Sequence, residues 1–259
     1  LERFGTLENI ATAKYEIVKA LPPDGTAVFN ADNAQIRGMM AKGYPQTRLT
    51  VSLDANSNAR FVASAMSETL DGLSFTVTDK ETGESAEFAT ALLGSHNVTN
   101  VLLATAVALH EGMSLREIAQ RVRTLQPAES RLARQVDARG ITIINDGYSA
   151  NPVGAVSALK ALALHQTGRR LLITPGMVEL GELMERENRK LGEIAAAHAT
   201  DVILVGKQTT PIREGLLAAQ FPDDRLQTVS TLSEAVQWYQ THLTAGDTVM
   251  FLNDLPDTY

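Results

Sequence analysis

Between residues 141 and 252, short apolar runs alternate with amphipathic stretches, and this alternation constrains the fold more than any other feature of the chain. Residues 141–145, 170–174, 202–205, 227–229 and 248–252 read as strands, and 153–165, 185–198, 212–220 and 232–243 read as helices. A strand that returns to its sheet through a helix does so in parallel, so the segment predicts a mostly parallel sheet with helices on both faces. Ligands of such sheets collect beyond the carboxyl ends of the strands. Asn145-Asp146-Gly147-Tyr148, Pro175-Gly176-Met177, Gly206-Lys207-Gln208 and Asn253-Asp254 fall at those ends and are expected to share one edge.

The preceding half has a different texture. Apolar residues recur at helical spacing over 7–21, with Lys14 well inside, until Pro22-Pro23 stops the helix. Asp24-Gly25 turns into a buried strand at 26–30 that runs out into Asn30-Ala31-Asp32-Asn33. Residues 47–92 predict a small, mostly antiparallel region with a hairpin turn at Thr82-Gly83. Gly94-Ser95-His96-Asn97 then opens an apolar helix over 98–110 that closes at Gly112, with Ser95 or Asn97 as its cap. A second helix over 114–125 has Ser114 and Glu117 in capping-box spacing, and Gln126-Pro127-Ala128-Glu129-Ser130 reads as a linker. At 259 residues, two compact units are expected, joined by this linker near Pro127.

A net charge of -7 disfavours nucleic acid and anionic membrane surfaces as partners. No run approaches the ~18 apolar residues of a membrane span. The chain has no cysteine, which excludes disulfide and thiol chemistry; with no signal-peptide pattern, a cytoplasmic monomer is expected. The first residue is Leu1 rather than methionine, with a helical run already beginning, so a portion of a longer protein is expected. His110, His165, His198 and His242 lack metal-ligand spacing. No Gly-x-Ser-x-Gly supports an acyl-enzyme, and no Gly-x-Gly-x-x-Gly follows a strand.

Four motifs carry the functional reading. They are Leu1-Glu2-Arg3-Phe4-Gly5 with Ile10-Ala11-Thr12-Ala13-Lys14; Gly94-Ser95-His96-Asn97-Val98-Thr99-Asn100; Asp146-Gly147-Tyr148-Ser149-Ala150-Asn151-Pro152; and Met177-Val178-Glu179-Leu180-Gly181. In this order and spacing they resemble the Mur ligases over essentially the whole chain, most closely the branch that adds D-alanyl-D-alanine to a peptidoglycan precursor. The resemblance implies an α/β fold: the second half of a P-loop-type central ATPase domain, then a C-terminal Rossmann-like domain. No Gly-x-x-x-x-Gly-Lys-Ser/Thr is present, so the chain alone is expected to be inactive.

The implied reaction is ATP-dependent joining of a UDP-muramoyl-peptide carboxylate to an amine through an acyl phosphate. Lys14 matches the lysine that is carbamylated in the family and so gains oxygen ligands for magnesium; by its surroundings alone it reads as a solvated helix lysine. Asn97 matches an asparagine that lies against adenine, with His96 and Asn100 beside it. Arg131 matches an arginine that reaches ATP, although Ser130 replaces the usual preceding glycine. Asp146 and Tyr148 match nucleotide-binding positions, and Asn151 is assigned to substrate while also suiting a helix cap before Pro152. Glu179, Asn253 and Asp254 are assigned to the amine end.

The chain departs from the family pattern Asp-Asp-Ser-Tyr at Asn145 and Gly147, and from Gly-Asp-Met at Pro175-Gly176-Met177. Asn253-Asp254-Leu255-Pro256-Asp257 replaces Lys-Gly-Ser-Arg. An amine other than D-alanyl-D-alanine, or a catalytically silent nucleotide-binding module, are the alternatives these departures raise.

Overall fold

The computed structural model describes residues 4–41, 46–147 and 151–252. The chain divides into two compact units, Leu1–Gln126 and Pro127–Tyr259.

In the first unit, helix α1 (Leu7–Lys19) begins where Thr6 accepts a hydrogen bond from the Asn9 N–H at 3.1 Å. Its buried Tyr15 and Val18 pack with Ala27 and Phe29 of β1 (Thr26–Asn30) and with Met39 of α2 (Ala34–Met40). Strands β2 (Thr47–Ser52), β3 (Phe61–Thr69), β4 (Gly72–Asp79) and β5 (Ser85–Thr90) follow, and the sheet order is β1-β2-β3-β4-β5. Helices α3 (His96–His110) and α4 (Leu115–Val122) complete the unit. Val98, Val101, Leu102 and Ala106 of α3 pack with Val51, Phe61, Val77 and Phe88 from the strands.

The mostly antiparallel region expected over 47–92 is present as β3–β4–β5, and it opens on a short parallel pairing. Strand β2 runs parallel to both β1 and β3, and antiparallel pairing begins only at β3–β4. The connection from β1 to β2 passes through α2, which makes it a crossover rather than a hairpin. That short helix was not anticipated; Asn33 caps it through the Ile36 N–H at 3.1 Å. The expected turn before β5 is present, with Gly83 at φ +76°.

In the second unit, β6 (Ala133–Val136), β7 (Thr142–Asp146), β8 (Arg170–Thr174), β9 (Asp201–Val205), β10 (Leu226–Val229) and β11 (Thr248–Leu252) form a sheet of order β10-β9-β8-β11-β7-β6. All pairings are parallel except β6 with β7. The helices are α5 (Pro152–Ala163), α6 (Met184–His198), α7 (Thr210–Ala218) and α8 (Leu232–His242). On one face α8 sets Ala235 and Tyr239, with Leu243 just beyond it, against Ile141, Leu171, Ile173, Ile203 and Val249. Side chains alternate along a strand, so Ile144, Leu172, Val202, Leu204 and Met250 turn to the other face, where all are fully buried. Helices α6 and α7 cross closely because a Cβ at Gly192 would lie 2.1 Å from the Ile212 carbonyl oxygen.

Candidate functional site

Parallel pairing brings the carboxyl ends of β7, β8, β9 and β11 to one edge of the second unit. Asp146 is the last residue of β7. Burial pushes its carboxyl pKa upward, opposed by a hydrogen bond from the Leu132 N–H and by the positive charge of Arg131. Leu132 is buried and held at φ +50°, a left-handed conformation that a branched residue adopts only when its surroundings impose it. That turn carries the chain from Arg131 into β6 with its N–H on Asp146. Two residues separated by fifteen positions are thus brought together, a cation suited to phosphate and a carboxylate suited to hydroxyl donors. Nothing in the sequence marks Leu132.

The turn after β8 is built more firmly. Gly176, at φ +94°, donates its N–H to Thr174 Oγ1 at 3.0 Å, and Met177 is clamped on both backbone groups by the buried side chain of Asn188. Beyond it, exposed Glu179 stands at φ +58°, an uncommon backbone state at the position assigned to the amine end. Asn188 was missed because it sits in the charge-rich run of α6. Its signal was periodic: it shares the buried face of that helix with Leu191, Gly192 and Ala195.

Asn151 is the N-cap of α5, its Oδ1 accepting from the Gly154 N–H at 2.9 Å, with Pro152 in the first turn. Its side-chain oxygen therefore already has a structural role. Tyr148, Asn253 and Asp254 lie outside the described residues.

In the first unit, α3 starts at His96, two residues earlier than expected, and Ser95 occupies the N-cap position without a side-chain capping bond. Asn97 Nδ2 donates to the Leu93 carbonyl at 2.7 Å and Asn97 Oδ1 accepts from Asn100 at 3.0 Å. A carboxamide has two donors and two acceptor sites, so half its capacity remains for a planar ligand. Glu68 of β3, another residue the sequence did not flag, accepts from the Gly94 N–H at 2.6 Å and anchors the entry to this helix. Lys14 sits on an exposed stretch of α1. As an ammonium it offers a metal nothing, and the described residues hold no group of three His, Cys, Asp or Glu side chains that could bind one.

A groove of about 440 Å³ crosses the α8 face of the second sheet near the same edge, from Asn145 to Val205, with Tyr239 as one wall. Among the described residues no helix is long and apolar enough to cross a membrane.

Comparison with known proteins bears on this arrangement. Residues 1–108 match the Mur ligase middle domain, and residues 130–252 match the Mur ligase glutamate ligase domain. The chain is 27% identical over 253 residues to the UDP-N-acetylmuramoyl-tripeptide--D-alanyl-D-alanine ligase of Bacillus subtilis, covering 97% of this chain and 53% of that protein. It is 33% identical over 213 residues to the Escherichia coli enzyme of the same name, covering 82% of this chain and 46% of that one. A crystal structure of MurF from Acinetobacter baumannii superposes with a TM-score of 0.79 at 25% identity, over 97% of this chain and 53% of the other. The chain therefore spans about half the length of these relatives. With two successive Mur ligase domains matched along nearly its whole length, and both units folded as in a solved relative, the chain belongs to the Mur ligase family.

Proposed function

We propose that the intact protein is an ATP-dependent ligase that joins the carboxylate of a UDP-muramoyl-peptide to an amine such as D-alanyl-D-alanine, in peptidoglycan precursor synthesis. The observation that carries this reading is the half-buried Asp146 at the carboxyl edge of a parallel sheet, held by the Leu132 N–H within the field of the Arg131 charge, in a chain of this family. The γ-phosphoryl group of ATP passes to a carboxylate oxygen, giving an acyl phosphate and ADP. The amine nitrogen then attacks the carbonyl carbon, and the tetrahedral intermediate expels phosphate while the nitrogen loses a proton. Such chemistry depends on held geometry and neutralised charge rather than on a protein nucleophile.

In this reading Asn97, flanked by His96 and Asn100, takes the adenine, Asp146 and Tyr148 take the ribose, and Arg131 balances phosphate charge. Lys14, once carbamylated, would contribute oxygen to a bound magnesium ion, which would supply positive charge to the phosphates. Asn151, Glu179, Asn253 and Asp254 belong to the substrate end. The two domains span 1–128 and 129–259, and the protein acts as a cytoplasmic monomer.

The test is amine-dependent phosphate release by the intact protein with UDP-muramoyl-tripeptide, ATP and magnesium. Release that requires both the tripeptide and an amine supports the reading. ATP binding without release for any amine marks a silent nucleotide-binding module, and the 259-residue chain alone should release nothing.

A further inference from the structure

The groove on the second unit is built from one row of side chains. Register places Phe251 beside both Asn145 and Ile173, and Ile173 beside Ile203. Alternation then puts Ile143 and Val205 on the same face, so the groove floor is apolar across four neighbouring strands. Ile143, Val205 and Phe251 remain only partly buried, because α8 covers the β9 and β10 side. Tyr239 meets Phe251 edge-on at 5.9 Å and closes one wall. The volume, about 440 Å³, falls within the roughly 300–1,000 Å³ of small-molecule sites.

The rim is where this chain differs from its family pattern. Ser130, Asn145, Gly147 and Pro175 are four positions at which the sequence departs from the motifs, and all four line this groove. Gly147 matters most for access: a Cβ there would lie 2.8 Å from Asn145 Oδ1. Asn145 Nδ2 is bound to the Glu129 carbonyl at 3.1 Å, which leaves Oδ1, an acceptor suited to an amine N–H, beside the open position.

We propose that this groove receives the side chain of the incoming amine, and that this side chain is apolar and larger than a methyl group. The inference rests on the ligase reading above and narrows its substrate class. A methyl group would leave most of the exposed floor wetted, whereas a branched or aromatic side chain removes Ile143, Val205 and Phe251 from water together. Discrimination in such pockets amounts to about 10- to 200-fold per methylene, so the preference is measurable.

The experiment compares kcat/KM of the intact protein for D-leucyl-D-alanine and D-alanyl-D-alanine, alongside calorimetric binding of both dipeptides. Wild type should favour D-leucyl-D-alanine by about tenfold or more. Ile143→Phe, which fills the floor, and Gly147→Ser, which restores the family residue without a left-handed backbone to strain it, should each reduce that ratio by about tenfold. Because the serine is the milder change, it keeps the test valid if the phenylalanine variant folds poorly. A wild-type ratio of one or less, or a ratio that neither variant changes, overturns the proposal while the ligase reading stands. Calorimetric preference for D-leucyl-D-alanine without turnover on any amine removes the ligase reading and leaves the groove as a binding site.

Discussion

Asn188 and Met177 hold each other by a reciprocal pair of hydrogen bonds: the Met177 N–H donates to Asn188 Oδ1 at 2.8 Å, and Asn188 Nδ2 donates to the Met177 carbonyl at 2.8 Å. Nδ2 also reaches the Met184 carbonyl at 3.0 Å, so one buried side chain ties the turn after β8 to the start of α6. Asn188→Ala leaves the Met177 N–H and carbonyl buried and unpaired, each at about 1–3 kcal/mol. The expected loss of stability is about 3 kcal/mol or more, seen by denaturant unfolding, with the transition of the second unit affected first. Asn188→Asp keeps the acceptor and loses the donors, and should fall between wild type and alanine. Equal stability of all three proteins would remove the clamp.

Lys14 gives the opposite profile. Its side chain is exposed on α1, so Lys14→Ala should change stability by no more than about 0.5 kcal/mol. If carbamylation at this position supports the reaction, phosphate release by the intact protein should nonetheless fall by about 100-fold. Unchanged turnover at unchanged stability would return Lys14 to an ordinary solvated lysine.

Asp146 links binding to pH. Burial raises its folded-state pKa, the dominant influence, against the Leu132 N–H and the Arg131 charge. A carboxyl with a raised folded pKa contributes stability that is fully present below its unfolded value and is lost as pH rises through the folded value. Asp146→Asn, which keeps an acceptor for Leu132, should therefore be relatively more stable than wild type above that range, while nucleotide affinity falls by about tenfold through loss of a charged acceptor. Thermal midpoints from about pH 3 to 8 and nucleotide titration at about pH 7.5 check both signs. A midpoint difference that does not vary with pH would contradict the assigned cause.

The second unit was more legible than the first because its strands announce themselves. The apolar run at 171–173 marks a strand read over 170–174, and the structure ends it at the same residues; the edge strand β6 is short, exposed and without alternation, and left no signal. In the first unit 26–30 was legible as a buried strand, whereas nothing marked the seven helical residues of α2 that make its pairing with β2 parallel. Position told more about the candidate site than residue type did. Asp146 was found from its place at a strand end, yet its partner N–H comes from a left-handed leucine that no pattern encodes. The groove was equally hidden, because Asn145, Gly147 and Pro175 read as scattered departures until register placed them on one face.

His165 gives a prediction for stability alone. It follows the end of α5, is 6% exposed, and its Nε2 has no hydrogen-bond partner among the described residues. Burial, reinforced by the charges of Arg134 and Arg170, lowers its pKa from 6.5 to about 4. A base with a depressed folded pKa contributes stability that is present above the unfolded value and lost as pH falls towards the folded one. The wild-type chain should thus lose on the order of 3 kcal/mol between pH 6.5 and 4 through this residue, since a tenfold difference in proton affinity between the folded and unfolded chain is worth about 1.4 kcal/mol. His165→Phe removes the titrating group and keeps an aromatic ring in place, so its unfolding free energy should fall less steeply over that interval. Parallel pH slopes for the two proteins would mean that the imidazole binds its proton equally well in the folded and unfolded chain, which would overturn burial as the cause.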